Sequence, residues 1–486
     1  MNTVIAEFCH RVEGIPFHGV GLSADAYQPD FSEVMTALAC RGCLPSFTEL
    51  FRASTPMLAS LRRSYPNLYM PYHAEGLWLT QPGWAKGCPP PFDLRLAAEH
   101  SRILDSAWLN HECATKVLAG FPLGTYLPPV FAEAVAEVTA EQSSYVQAVL
   151  DREGGARDGR GPLLLLELPP LTYFGAGNLS VAEFFRFIVD RIPCGLVMDI
   201  GHLWTHYRYG VRSEGESLER FVQRFLEAFP LDRVVEIHVA GLSEHAAVRK
   251  AEGAQEPRWL DAHAAPIPSV LFDMLDQVLA QPRLSALRGV ALEVDTKSTT
   301  LIVDEFESFR QRYEPVLARR HGSLPTLQNS QDCGPFRWEA VAPDAGDVAE
   351  ALEATYLDVV LGHRDPEQWR EMMPVEPPCL SLYREHYLRH ELLHWGGDLV
   401  DLFPVTCARL SEFGVPLEAF VPFWFAQRRP LPVSFDFFML KLERFVEFVR
   451  ERLPEAWPLA QDEAERMRSA YEQATTPMGR PAEVVQ

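Results

Sequence analysis

Short apolar or β-branched runs recur with a steady rhythm along the first 300 residues. Eight of them read as strands: near 16–22 (PFHGVGL), 46–51 (SFTELF), 68–73 (LYMPYH), 107–111 (AWLNH), 163–167 (LLLLE), 195–199 (GLVMD), 234–238 (VVEIH) and 290–294 (VALEV). Between most of them lie segments such as SVAEFFRFIVDRI and SLERFVQRFLEAF, with apolar residues at three- and four-residue spacing, the period of a helix. Strand and helix alternating eight times predicts an α/β fold, a (β/α)8 TIM barrel. At 322–346 the pattern breaks into a polar, Pro- and Gly-rich run. Helical spacing then resumes in VAEALEATYLDVVLG, SLYREHYLRHELLHWGGDLVDLF, CARLSEF and FDFFMLKLERFVEFVRERL. The expected organisation is a barrel over 1–321, a linker over 322–346 and a smaller, mostly α-helical domain over 347–486.

The polar residues that end the apolar runs carry the chemistry. His73, His111, Glu167, Asp199, His238 and Glu293 each fall at the C-terminal end of a predicted strand. His202 follows Asp199 by three residues, and Asp261 and His263 lie in the loop after the seventh strand. In a barrel these strand ends converge on one mouth, where active sites lie. A lone His at a strand end is more often a satisfied structural residue than a ligand. Glu167 is stronger alone, because a carboxylate closing an apolar strand needs a partner. The periodicity places all of these residues independently, and together they predict a mononuclear or polynuclear metal site. Imidazoles with carboxylates suit Fe, Zn or Mn, whereas Ca or Mg prefers oxygen nearly alone.

Composition narrows the partners. The 486 residues allow one large barrel plus something smaller. Lys and Arg total 44 against 66 Asp and Glu, a net charge of −22 that works against a phosphate-binding surface for nucleic acid. No Lys/Arg cluster followed by an apolar run opens the sequence. Apolar stretches such as GPLLLLELPPL stop short of the ~20 residues a membrane span needs. The nine Cys are odd in number and scattered, with Cys40 and Cys43 the only close pair, so a reducing cytoplasm without disulfides is expected.

Over about residues 15–310 the chain resembles the multinuclear non-heme iron-dependent oxidative enzymes, the family that includes the methanobactin-biosynthesis oxidase. Gly19-Val20-Gly21-Leu22 is similar to that family's opening GxGL strand, and Pro71-Tyr72-His73-Ala74-Glu75-Gly76 to its "slHG" segment. Trp108-Leu109-Asn110-His111-Glu112 resembles "vSeHL", Tyr126-Leu127-Pro128-Pro129 "LLPlPyt", and Leu165-Leu166-Glu167-Leu168-Pro169 with Tyr173 "LLENPssY". Asp199-Ile200-Gly201-His202 stands where the family has "DvnN". Glu236-Ile237-His238-Val239-Ala240-Gly241 resembles "eIHLAGh", Asp261-Ala262-His263 with Pro266 "DtHxxPV", and Glu293-Val294-Asp295 "EwD". The resemblance implies a TIM barrel of the xylose-isomerase-like type. It implies that His73, His111, Glu167, His202, His238, Asp261, His263 and Glu293 hold two or three non-heme iron ions of mixed Fe2+/Fe3+ valence. Glu167 would be a bridging carboxylate, and Asp199 a ligand or an acceptor that orients a His. Glu167, His111 and Asp199 are the candidate catalytic residues. Dioxygen would be the co-substrate, and a ribosomally made precursor peptide, most often modified at Cys, the partner. The sequence departs from the pattern at Glu49-Leu50-Phe51-Arg52-Ala53-Ser54, where "ElHxEN" would place a His and an Asn. It departs also at Leu168 and His202, which replace Asn, and at Leu242, which replaces His.

Beyond the barrel, His386, His390 and His394 stand at i, i+4 and i+8. Three such imidazoles in a straight row cannot converge on one ion, so they read as a packing or partner surface. Leu382-Tyr383-Arg384 with Leu402-Phe403-Pro404 is similar to a "LYrrny…tFPa" pattern in helical partner proteins of the family, which implies precursor-peptide recognition by this domain. The expected function is iron- and dioxygen-dependent oxidation of a precursor peptide in natural-product biosynthesis. The alternative is a divalent-metal sugar isomerase, epimerase or hydrolase, and a third is a metal-buffering or regulatory protein on a degenerate barrel.

Overall fold

A computed structural model describes the chain apart from residues 1–2, 52, 75, 83–91, 120, 156–158, 211–214, 246–256, 324–343, 374–376, 395–396, 427–436 and 476–486. Eight parallel strands close into a barrel: β1 Gly19–Ala24, β2 Phe47–Leu50, β3 Tyr72–His73, β4 Trp108–Glu112, β5 Leu163–Glu167, β6 Gly195–Asp199, β7 Val234–Val239 and β8 Gly289–Glu293. They pair in chain order, and β8 returns to β1 through Gly19↔Gly289 to Ser23↔Glu293. All eight predicted strands are present. The two-residue β3 is extended by a single parallel bridge between Phe47 and Tyr69.

The interior fills as period-two alternation requires. Phe47, Trp108, Leu163, Leu165, Val197, Val235 and Ala291 form one buried cluster inside the strands. Helix Thr3–Glu13 closes it from below with Phe8, Cys9 and Val12. Gly21 and Gly289 have no side chains because the Phe47 ring occupies the space a Cβ would take at either position. Outside the barrel, helices such as Val181–Val189 and Leu218–Ala228 turn apolar faces inward, burying Phe184, Phe185 and Ile188, and Phe221, Phe225 and Leu226. Val181–Val189 opens with a capping box between Ser180 and Glu183.

Packing divides the chain into one unit of Met1–Ala119 with Tyr126–Tyr383 and another of Gly120–Thr125 with Arg384–Gln486. Most of the expected linker lies outside the described residues. Helix Ala345–Leu361, expected to begin the helical domain, belongs to the first unit and packs on helix Glu133–Glu153. It buries Tyr356, Leu357 and Val360, and its buried Glu353 accepts a 3.0 Å hydrogen bond from Gln81 Nε2.

The second unit is helical, but the stretch read as one helix around His390 is broken. A π-helical turn spans Tyr383–Tyr387 before helix Leu388–His394. That turn holds His386, whereas the α-helix that follows holds His390 and His394. His390 and His394 stay adjacent, with ring centroids 4.3 Å apart, and His394 Nδ1 donates to Asp398 Oδ2 at 2.8 Å.

Candidate metal centre

The inward-facing positions nearest the C-terminal ends of the strands are polar where the floor is apolar. On β2 the alternation that buries Phe47 also brings in Glu49; on β5 it brings Leu163, Leu165 and then Glu167. On β6 Val197 is followed by Asp199, and on β8 Ala291 by Glu293. The β6–β7 register shifts at Leu196/Val197, so that Glu236 pairs with Val197 and His238 with Asp199. The shift re-aims β7, and Glu236 and His238 both join the polar layer. His73 is on β3.

Two loops complete the layer. Helix Ile200–Tyr209 begins directly after β6, capped by Asp199, whose Oδ1 accepts from the His202 backbone N–H at 2.6 Å. His202 is thereby carried to the mouth, and its Nδ1 donates to the Leu168 carbonyl at 2.6 Å. A hairpin of Leu242–Glu244 and Trp259–Asp261 returns Asp261 and His263 to the same place. Gly241 permits this: a Cβ there would strike the carbonyls of Ala262 and Ala265.

The side chains meet at contact distance. His238 Nδ1 lies 3.2 Å from Glu167 Oε1 and 3.8 Å from Glu293 Oε2. His202 Nε2 is 3.5 Å from Asp261 Oδ2, and His263 Nε2 is 3.0 Å from Asp261 Oδ2 and 3.5 Å from Glu293 Oε2. His263 Nδ1 donates to Asp295 Oδ1. On the other side, His73 Nδ1 donates to Glu49 Oε1 at 3.2 Å, and Asn110 Nδ2 donates to Glu167 Oε2 at 2.6 Å. Four sets of ligand atoms here each fall within 4.8 Å of one another: Glu167, Asp199, His238 and Glu293; His202, Asp261 and His263; His263, Glu293 and Asp295; and Glu49, Glu236 and His238.

Charge sharing in this dry pocket is uneven. Burial pushes Glu293 and Glu236 up to about 8 and Glu112 to about 7. Burial also works to raise Glu167, but the neighbouring imidazoles, His238 foremost, outweigh it and hold that carboxyl at about 2. His202, His238 and His263 are raised well above the ordinary imidazole range: burial opposes this, and the surrounding carboxylates overcome it. Asp199 Oδ2, His202 Nε2, both nitrogens of His238, Asp261 Oδ1, His263 Nε2 and Glu293 Oε2 are buried without a hydrogen-bond partner. Such atoms are costly unless something bonds them. Nitrogen and oxygen donors aimed at one another fit Fe, Zn or Mn, and anchored Nδ1 atoms, as on His202 and His263, are typical of metal-binding histidines.

Residues 94–312 match the model of a family described as "RiPP precursor modification enzyme MbnB/TglH/ChrH". The match takes in β4 to β8 and both mouth loops, and leaves Glu49 and His73 outside it. The chain is similar to a UPF0276 protein of Paraburkholderia phytofirmans, 27% identical over 229 residues, which cover 46% of this chain and 64% of that protein. A UPF0276 protein of Bordetella pertussis is 28% identical over 230 residues, 43% of this chain and 69% of that one. The chain thus spans about two thirds of the length of these relatives. Among solved structures, endonuclease IV from Thermus thermophilus aligns with a TM-score of 0.38 at 17% identity, over 60% of this chain and 99% of that one. D-allulose 3-epimerase from Methylomonas sp. aligns at 0.33 and 15%, over 71% and 99%.

The structure brings together Glu167, Asp199, His202, His238, Asp261, His263 and Glu293, with His73 held at the edge by Glu49. It does not place His111 in any of these sets. On β4 the inward contacts are made by Trp108 and Asn110, and His111, one residue on, turns Nδ1 to the Ala74 carbonyl at 3.1 Å. Sequence reasoning passed over Glu49, Asn110, Glu112, Glu236 and Asp295. Strand parity could have found the first four, because each stands two residues from another inward-facing residue.

Proposed function

We propose that this chain is an iron- and dioxygen-dependent enzyme that oxidatively modifies a ribosomally synthesised precursor peptide, with Cys as the favoured target. What carries the reading is the convergence of buried, unpartnered carboxylate and imidazole atoms at the mouth, on the strands over which the chain matches the precursor-modifying family. Glu167, Asp199, His238 and Glu293 would hold iron on one side, and His202, Asp261 and His263 on the other. Glu167, between His238 and His202, would be the shared carboxylate. Bound there, iron supplies the one-electron steps that couple dioxygen reduction to oxidation of the substrate.

The chain's own residues do the rest. Asn110 fixes one oxygen of Glu167, the Leu168 carbonyl fixes the ring of His202, and Asp295 fixes that of His263. These contacts orient the donors before any substrate arrives. Leu168, which follows Glu167, and Leu260, which precedes Asp261, are buried apolar neighbours of the donors along the chain. Glu112, whose carboxyl burial raises to about 7, is placed to hold a proton at Oε1 near neutral pH. The helical unit exposes Val400, Val405 and Phe413, which supports a role in recognising the precursor. A cytoplasmic setting belongs to the same proposal, and none of the seven cysteines among the described residues is joined in a disulfide.

The test is mass spectrometry of a Cys-containing precursor peptide encoded near the gene, incubated with iron-loaded protein in air and without it. A mass change at Cys that needs both iron and air is expected. An unaltered peptide, or turnover of a sugar that ignores dioxygen, would overturn the proposal.

A further inference from the structure

Two carboxylates on the floor side of His238 remain unexplained by the groups at the mouth. Glu236 stands two residues before His238 on β7, about 6.6 Å deeper along the strand. Glu49 approaches from β2, and both side chains are completely buried. Each has one oxygen tied down: Ser23 Oγ donates to Glu49 Oε1 at 3.1 Å, and Trp108 Nε1 donates to Glu236 Oε2 at 2.7 Å. The other oxygens, Glu49 Oε2 and Glu236 Oε1, have no hydrogen-bond partner, and neither does His238 Nε2. His238 Nε2 lies 3.3 Å from Glu49 Oε1 and 3.5 Å from Glu236 Oε1. Two ligands held about 2.1 Å from one cation at the tetrahedral angle stand about 3.4 Å apart. Among the described residues no Lys or Arg pairs with either carboxylate, and the only ion-pair partners are His73 and His238. Adjacent carboxylates this dry must share a proton with each other or with an imidazole, or hold a cation.

We propose that Glu49, Glu236 and His238 hold a divalent cation of their own below the mouth groups, with Ser23 and Trp108 orienting the two carboxylates. His238 serves this cation through Nε2 and leaves Nδ1, 3.2 Å from Glu167 Oε1, to the mouth group. The cation's charge offsets the two carboxylates, and the donor set of two oxygens and one imidazole suits zinc or ferrous iron. The inference deepens the metal-centre reading, since the two share His238, but it does not depend on the peptide chemistry.

Anomalous diffraction from crystals of the whole chain grown with zinc or ferrous iron, combined with elemental analysis, tests it. A peak within bonding distance of Glu49, Glu236 and His238 is expected. Glu236→Gln should remove that peak and lower the count by one ion per chain, leaving the mouth peaks in place, whereas Glu167→Ala should do the reverse. No peak at the lower position with the mouth filled overturns the inference, since the pair then shares a proton, and leaves the mouth reading standing. A lower peak with an empty mouth upholds the inference and overturns that reading. If Glu236→Gln fails to fold, the map of the unaltered protein decides.

Discussion

The ring of Phe47 plugs the barrel between Gly21 and Gly289, and the polar layer rests on it. Gly21→Ala would drive a methyl group into that ring, and overpacking of this kind costs about 1–3 kcal/mol; chemical denaturation should register the loss. Close by, His18 is buried between Tyr69 and Trp108, with ring centroids 4.3 and 4.5 Å away, and its Nδ1 donates to the Pro16 carbonyl at 2.7 Å. Burial lowers its pKa to about 4, against ~6.5 in an unfolded chain. The unfolded state therefore binds the extra proton between those values. The His18 contribution is intact above ~6.5 and shrinks as pH falls toward 4. Denaturation midpoints across that range should decline, and His18→Gln should flatten the decline; parallel profiles would refute the assignment. Residue by residue, legibility follows strand parity. Glu167, Asp199, His238 and Glu293 end apolar runs and stand out in the sequence. Glu49 sits inside SFTELF with no mark except that it is two residues from Phe47. His111 ends its run too, but at the parity that the inward Asn110 does not share.

Among the elements, the eight strands are readable because each joins an apolar floor residue to a polar mouth residue within a few positions. The β-shift at Leu196/Val197 is not, because VVEIHV carries no glycine or other break to announce it. The π-turn at Tyr383–Tyr387 is hidden likewise, since SLYREHYLRHELLH keeps helical spacing throughout. Helix Val181–Val189 is clear from its apolar face, and Ser180 with Glu183 fixes its start: Ser180 Oγ accepts from the Glu183 N–H at 3.2 Å, and Glu183 Oε2 accepts from the Ser180 N–H at 2.8 Å. Ser180→Ala should cost about 1 kcal/mol through the lost cap, visible as a lower melting temperature with the metal content unchanged.

For the whole molecule, the break in pattern at 322–346 suggests where the barrel ends, yet helix Ala345–Leu361 packs with the barrel. Its face of Tyr356, Leu357 and Val360 and the buried Gln81–Glu353 contact are long-range, and helical period alone does not say which partner a helix meets. A fragment ending at 383 should therefore unfold at higher denaturant than one ending at 344; equal midpoints would show that the helix adds nothing. The net charge of −22 speaks at first only against nucleic acid. In the folded chain some of those carboxylates are gathered in one buried layer, and the proposal is that iron offsets their charge there. The iron content of the chain purified without air, before and after Glu167→Ala, tests that claim most directly. More than one iron per chain in the unaltered protein, and loss of most of it in a folded Glu167→Ala, is the expected result. A single zinc or manganese per chain, or full iron in the variant, would contradict it.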